Sequence, residues 1–133
     1  MSEFFDRKED KKFTRVYKQH TPDILAAFAA FDRAVFAEEG REIPLKYREL
    51  MALAVSLTTQ CVYCIDAHSQ NAVKAGASEQ ELAETAWVAS AIRAGGAYSH
   101  GRLAFKLGAE AAGAAGATEG ADAAGHQHAG HQH

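Results

Sequence analysis

Cys61 and Cys64 are the only two cysteines of the chain, three positions apart, and His68 follows four positions after the second. On a helix that turns by roughly 100° per residue, these side chains fall at about 0°, 300° and 340°, so they share one face. A helix starting near Gln60 puts both sulfurs by the first turn, where unpaired N–H groups and the helix dipole favour a thiolate, mainly at Cys61. A C-x-x-C pair so placed can close into a disulfide with little backbone movement and can open by exchange with an external thiol. His68 stands one turn beyond Cys64, within reach of a proton on that sulfur. A fourth residue joins them from the preceding helix. Glu49 lies in the stripe Leu45–Glu49–Leu53, one turn apart at each step, so it faces the core and needs a partner there.

Other chemistry fits the same residues. Buried cysteines serve as small apolar side chains, and a buried glutamate serves as a hydrogen-bonding partner for its neighbours. A metal site needs three or four ligands; Cys61, Cys64 and His68 supply three, and there is no second cysteine pair. The other candidate ligands stand at the end of the chain, where His126, His128, His131 and His133 form two H-x-H pairs. Neutral imidazoles at that density bind Zn²⁺, Ni²⁺ or Cu²⁺, as a dedicated site or as adventitious affinity for a divalent metal.

The elements that position these residues read as helices throughout. The first clear one starts at Thr21 as N-cap with Pro22 in the first helical position, carries Leu25, Phe28, Phe31 and Val35 at helical spacing, and stops at Gly40. The second begins near Pro44 and is apolar nearly all round from Leu50 to Leu57, which predicts a central, buried helix. The third carries the cysteines and ends at Gly76. The connection between the two is short, which predicts antiparallel neighbours. A fourth opens on Ser78 with Glu81 three residues on, a capping box, and runs to a break at Gly95-Gly96. The fifth spans roughly Ala97 to Leu107. From Gly108 to His133 there is no Leu, Ile, Val, Met or aromatic residue, so apolar burial cannot offset the entropy of ordering. The expected organisation is therefore a helical domain over 1–107 and a flexible Ala/Gly/His-rich tail over 108–133.

Composition narrows the function classes. The 133 residues suit one domain, and 47% hydrophobic with 23% charged residues reads as globular. A formal net charge of −3 gives no electrostatic case for nucleic acid or an anionic membrane, and the early basic cluster from Arg7 to Lys18 reads as a solvated helix face. No apolar run approaches the roughly 18 residues of a membrane span, and the first residues lack a secretory signal pattern. The expected location is cytoplasmic, where C-x-x-C pairs are more often redox-active or metal-binding than structural.

Taken together, "REL…CVYCIDAHSQNAVKAGAS" and "ELAETAWVASAIRAGGAYSHG" resemble the carboxymuconolactone decarboxylase-like superfamily, specifically its AhpD-like alkylhydroperoxidase branch. That branch's pattern is Glu, eleven residues, Cys-x-x-Cys, three residues, His, and Glu49, Cys61, Cys64 and His68 match it at every position. The resemblance covers roughly residues 20 to 107. It implies an all-α, AhpD-like bundle of about five to six helices that assembles as a homo-trimer or homo-hexamer. It also implies a thiol-dependent peroxidase or disulfide reductase that needs no cofactor beyond its redox-active disulfide, with a hydroperoxide as substrate and a dithiol or disulfide reductase as electron donor. In the family mechanism Cys64 meets the peroxide, activated through Glu49 and His68, and Cys61 resolves the sulfenic acid into the Cys61–Cys64 disulfide. One position departs: Tyr63 stands where better-known members carry a second histidine. Two other readings remain, a metal-binding protein that uses the tail, and a lyase of the decarboxylase branch, which does not use the dithiol.

Overall fold

In a computed structural model, residues 4–116 are described. They form six helices: α1 (Arg7–Lys12), α2 (Thr14–His20), α3 (Pro22–Val35), α4 (Leu45–Thr59), α5 (Val62–Lys74) and α6 (Glu79–Ala115). There is no strand among the described residues, so the all-α expectation holds. None of these helices is long and apolar enough to cross a membrane. The chain divides into two compact units at Arg93 and Ala94, and the candidate site lies wholly in the first.

The first unit is organised around the α4–α5 hairpin. Gln60, with φ of +56°, closes α4 in the left-handed region and reverses the chain within two residues, so that Cys61 becomes the N-cap of α5. Its far end closes as the sequence predicts. Gly76, at φ of +101°, donates to Val73 O and Ala77 N donates to Ala72 O, a Schellman motif that satisfies the last carbonyls. The capping box then starts α6: Ser78 N donates to Glu81 Oε1 at 3.0 Å and Glu81 N donates to Ser78 Oγ at 3.1 Å. Lys46 Nζ bridges Glu81 Oε2 at 3.0 Å, and Arg93 donates to Thr58 O, so the first half of α6 runs alongside α4 in the same direction. Leu50, Ala72 and Ala77 form the core of the hairpin, with Leu82 packed against it.

Several expectations need correction. The helix does not break at Gly95-Gly96; α6 runs through both and does not end at Leu107, since residues 108–115 are helical. Glycine in a helix costs only about 1 kcal/mol relative to alanine, and the alanine-rich flanks favour continuation. Gly40 is not the stop of α3, which ends at Val35. Its terminal carbonyls are taken instead by arginines. Arg41 donates to Ala34 O at 2.9 Å, and Arg48 donates to Val35 O at 2.7 Å and to Ala37 O at 2.6 Å. Thr21 precedes α3, but its hydroxyl donates back to Tyr17 O rather than capping the helix. Finally, burial is thinner than predicted. Leu50 and Leu53 on α4 are buried, yet Met51 and Val55 are 51% and 60% exposed, and Phe31 of the α3 stripe is 65% exposed. A single chain of this size has too few layers to cover both faces of every helix.

Candidate active site

The site is built where α4 and α5 face each other. Glu49 comes from the first half of α4, on the stripe that turns inward, and is 4% exposed. An unpartnered carboxylate there would be costly. Its partner is His68, on the facing turn of α5: His68 Nδ1 and Glu49 Oε2 are hydrogen-bonded at 2.6 Å. The ring of Phe36, just past the end of α3, lies against the imidazole with centroids 4.8 Å apart and planes tilted by 33°. Phe36 is held there because Arg48 ties down Val35 O and Ala37 O on either side of it. His68 is therefore fixed on one edge by a carboxylate and on one face by an aromatic ring.

The sulfurs lie at the start of the same helix. Cys61 and Cys64 form a disulfide with Cα atoms 5.2 Å apart. As N-cap, Cys61 places its Sγ 3.2 Å from the backbone N of Cys64, which donates to it. This is the position at which an N–H group and the helix dipole stabilise negative charge on sulfur. Cys64 sits one turn before His68. The structure thus brings Glu49 and His68 together directly and puts Cys61 and Cys64 on the helix that carries His68. His126, His128, His131 and His133 lie outside the described residues. Among the described residues, no group of three or more His, Cys, Asp or Glu side chains is arranged to hold a metal ion.

Sequence reasoning missed the contacts made by the N-terminal segment. Tyr63, between the two cysteines, donates its hydroxyl to Asp10 Oδ2 at 2.7 Å, and Phe5 meets its ring edge-on at 5.3 Å. Arg7 forms a two-pronged pair with Asp66, its Nε donating to Oδ2 at 2.8 Å and its Nη2 to Oδ1. These contacts shift the ionisation of the groups involved. The Asp10 carboxylate, by accepting its hydrogen bond, holds the Tyr63 phenol above its ordinary value, and the Arg7 guanidinium holds Asp66 below the usual carboxylate range. The Arg7-to-Lys18 cluster is thus not only a solvated face. Its partners lie more than fifty positions away, and no local pattern announces them. The one available signal was Tyr63 itself, the residue that departs from the family pattern.

The site is thus an all-helical one, with a C-x-x-C disulfide at the start of α5 and a buried Glu49–His68 pair between α4 and α5. The family model for the carboxymuconolactone decarboxylase family matches residues 22–107, and the chain belongs to that family, as an AhpD-like member. It is similar to uncharacterised protein 4 of the cox locus of Paracoccus denitrificans, 38% identical over 81 residues, which are 61% of this chain and 71% of that one. An uncharacterised protein of Haemophilus influenzae is 46% identical over 62 residues, 47% of this chain and only 52% of the relative's own length. Among solved structures, a carboxymuconolactone decarboxylase family protein from Legionella pneumophila superposes with a TM-score of 0.58 at 28% identity, covering 64% of this chain and 74% of the other. A protein from Methanobacterium thermoautotrophicum gives 0.59 at 32% identity, covering 65% and 98%.

Proposed function

We propose that this protein is a thiol-dependent hydroperoxidase and disulfide reductase. The observation that carries the reading is the buried Glu49–His68 hydrogen bond, one helical turn from a C-x-x-C pair closed as a disulfide. With His68 Nδ1–H donating to Glu49, Nε2 is left to accept the proton of the Cys64 thiol. The Cys64 thiolate attacks the outer oxygen of a hydroperoxide; the O–O bond breaks, and sulfur is oxidised to the sulfenic acid. The alkoxide leaves and takes the proton from His68 to become the alcohol. The Cys61 thiol then attacks the Cys64 sulfur, the S–S bond forms, and water departs. An external dithiol reduces the disulfide by exchange at Cys61, is itself oxidised to a disulfide, and returns both thiols. Phe36 and Glu49 position the imidazole throughout.

The reading includes assembly as a homo-trimer or homo-hexamer. Its support is the apolar surface left open on the single chain, on α3, α4 and α6, where Phe31, Val55 and Trp87 stand exposed. Large apolar side chains exposed on several helices of one chain are the kind of surface that obligate assemblies bury.

The test is consumption of an alkyl hydroperoxide in the presence of a dithiol, by the wild type and by Cys64→Ser. Turnover by the wild type and background consumption by the variant are expected. Equal rates overturn the peroxidase reading.

A further inference from the structure

We infer that the N-terminal segment Phe4–Lys12 is a strap that selects the electron donor reaching Cys61, passing small dithiols and holding back folded protein dithiols until it swings away. The inference rests on the reading of Cys61 as the exchanging sulfur. Phe4 and Phe5 wall a cavity of about 200 Å³ whose other lining is Gln60, Cys61, Val62 and Tyr63. The segment is held down at three points, all on the first two turns of α5: Phe5 against the Tyr63 ring, Asp10 on the Tyr63 hydroxyl, and Arg7 on Asp66. A cavity of that size accommodates a small thiol. A protein disulfide reductase must instead bring its own backbone against Cys61, into the space that Phe5 takes beside the Tyr63 ring.

The fastenings suit a strap that opens. α1 has no buried residue, so no core contact fixes it. Exposed polar pairs are individually weak, so losing two raises the open fraction several-fold, on the order of three- to tenfold. Tyr63 then has a role that explains its departure from the family pattern: it is the anchor of the strap.

The experiment follows reduction of the Cys61–Cys64 disulfide in the full chain by thiol alkylation and mass shift, with dithiothreitol and with a thioredoxin-type protein as donors. Wild type is compared with the double variant Tyr63→Phe/Arg7→Gln and, independently, with Asp66→Asn. Tyr63→Phe keeps the ring contact with Phe5 and removes only the hydroxyl. The double variant is expected to accelerate the protein donor about three- to tenfold while dithiothreitol changes by less than about twofold, with Asp66→Asn giving a smaller shift of the same kind. Equal acceleration with both donors, no change with either, or slower reduction by the protein overturns the strap. The readout is the disulfide and not the peroxide, so a protein that leaves hydroperoxide untouched fails the function proposed above without affecting this result.

Discussion

The α4–α5 hairpin and the first half of α6 lie side by side and treat their side chains in opposite ways. In the hairpin, a glutamate is buried and an imidazole is clasped between a carboxylate and a phenyl ring. On α6, an indole at Trp87 is 74% exposed, with Val88 and Ile92 exposed beside it. Hydrophobicity alone would have sorted these residues the other way. The difference is where the partner comes from. The hairpin supplies a partner for each polar group it buries: His68 for Glu49, and the Ala52 carbonyl for Ser56. The outward face of α6 meets no such partner among the described residues.

That contrast can be broken at several points, and the largest effect belongs to the hairpin. Glu49→Gln removes the carboxylate that orients His68, and hydroperoxide turnover is expected to fall about 10²- to 10⁴-fold, the range for loss of acid–base assistance. Stopped-flow rates on the reduced protein measure it, and a loss below about threefold would separate the pair from the chemistry. On the other side of the contrast, Trp87→Glu is expected to cost about 2 kcal/mol or more per contact if α6 is an interface, weakening assembly about thirtyfold. Light scattering across a concentration series reads it; an unchanged mass would leave the α6 face as ordinary surface.

Smaller effects test how the two regions are joined. Ser78→Ala removes one half of the capping box that starts α6 and should cost about 1 kcal/mol in thermal or urea unfolding. The same box sets a pH dependence. Glu81 is held below its ordinary value of 4.5, first by the Ser78 backbone N–H and then by Lys46. Its contribution to stability is therefore complete above that value and is lost as pH falls through the lowered one. Glu81→Gln, which removes the titrating carboxylate itself, should flatten that acid limb of the wild-type stability curve, and parallel curves would contradict the assignment. The smallest change is a gain. Among the described residues, a Cβ at Gly95 or Gly96 would meet nothing within 4 Å beyond the backbone of its own helix. Gly95→Ala should raise stability by about 0.5–1 kcal/mol if α6 is simply helix there. Loss of assembly instead would place this small-residue stretch in close contact with another chain.

What could be read in the sequence follows the same division. The hairpin was legible because each of its signals is local: the Glu49 stripe, the C-x-x-C spacing, Gly76 as a stop, and Ser78 with Glu81. The course of α6 was misread because two glycines look like punctuation, although their cost is small beside the helical preference of the alanines around them. The end of α3 was misplaced because Arg41 and Arg48, not a glycine, satisfy its carbonyls. Phe36 over His68, Tyr63 on Asp10 and Arg7 on Asp66 are long-range contacts, which follow from the fold and not from spacing. Phe28 and Phe31 recur at helical spacing yet stand exposed, because periodicity shows that a helix has an apolar face but not whether the same chain covers it.

The central claim is that the Glu49–His68 pair makes Cys64 the sulfur that meets peroxide. It is tested most directly by trapping sulfenic acid with dimedone after one exposure of reduced Cys61→Ser protein to an alkyl hydroperoxide, with and without Glu49→Gln. The adduct is predicted on Cys64, forming about 10²-fold or more slowly once Glu49 is replaced. No adduct on Cys64, or one that forms equally fast in both proteins, would contradict it.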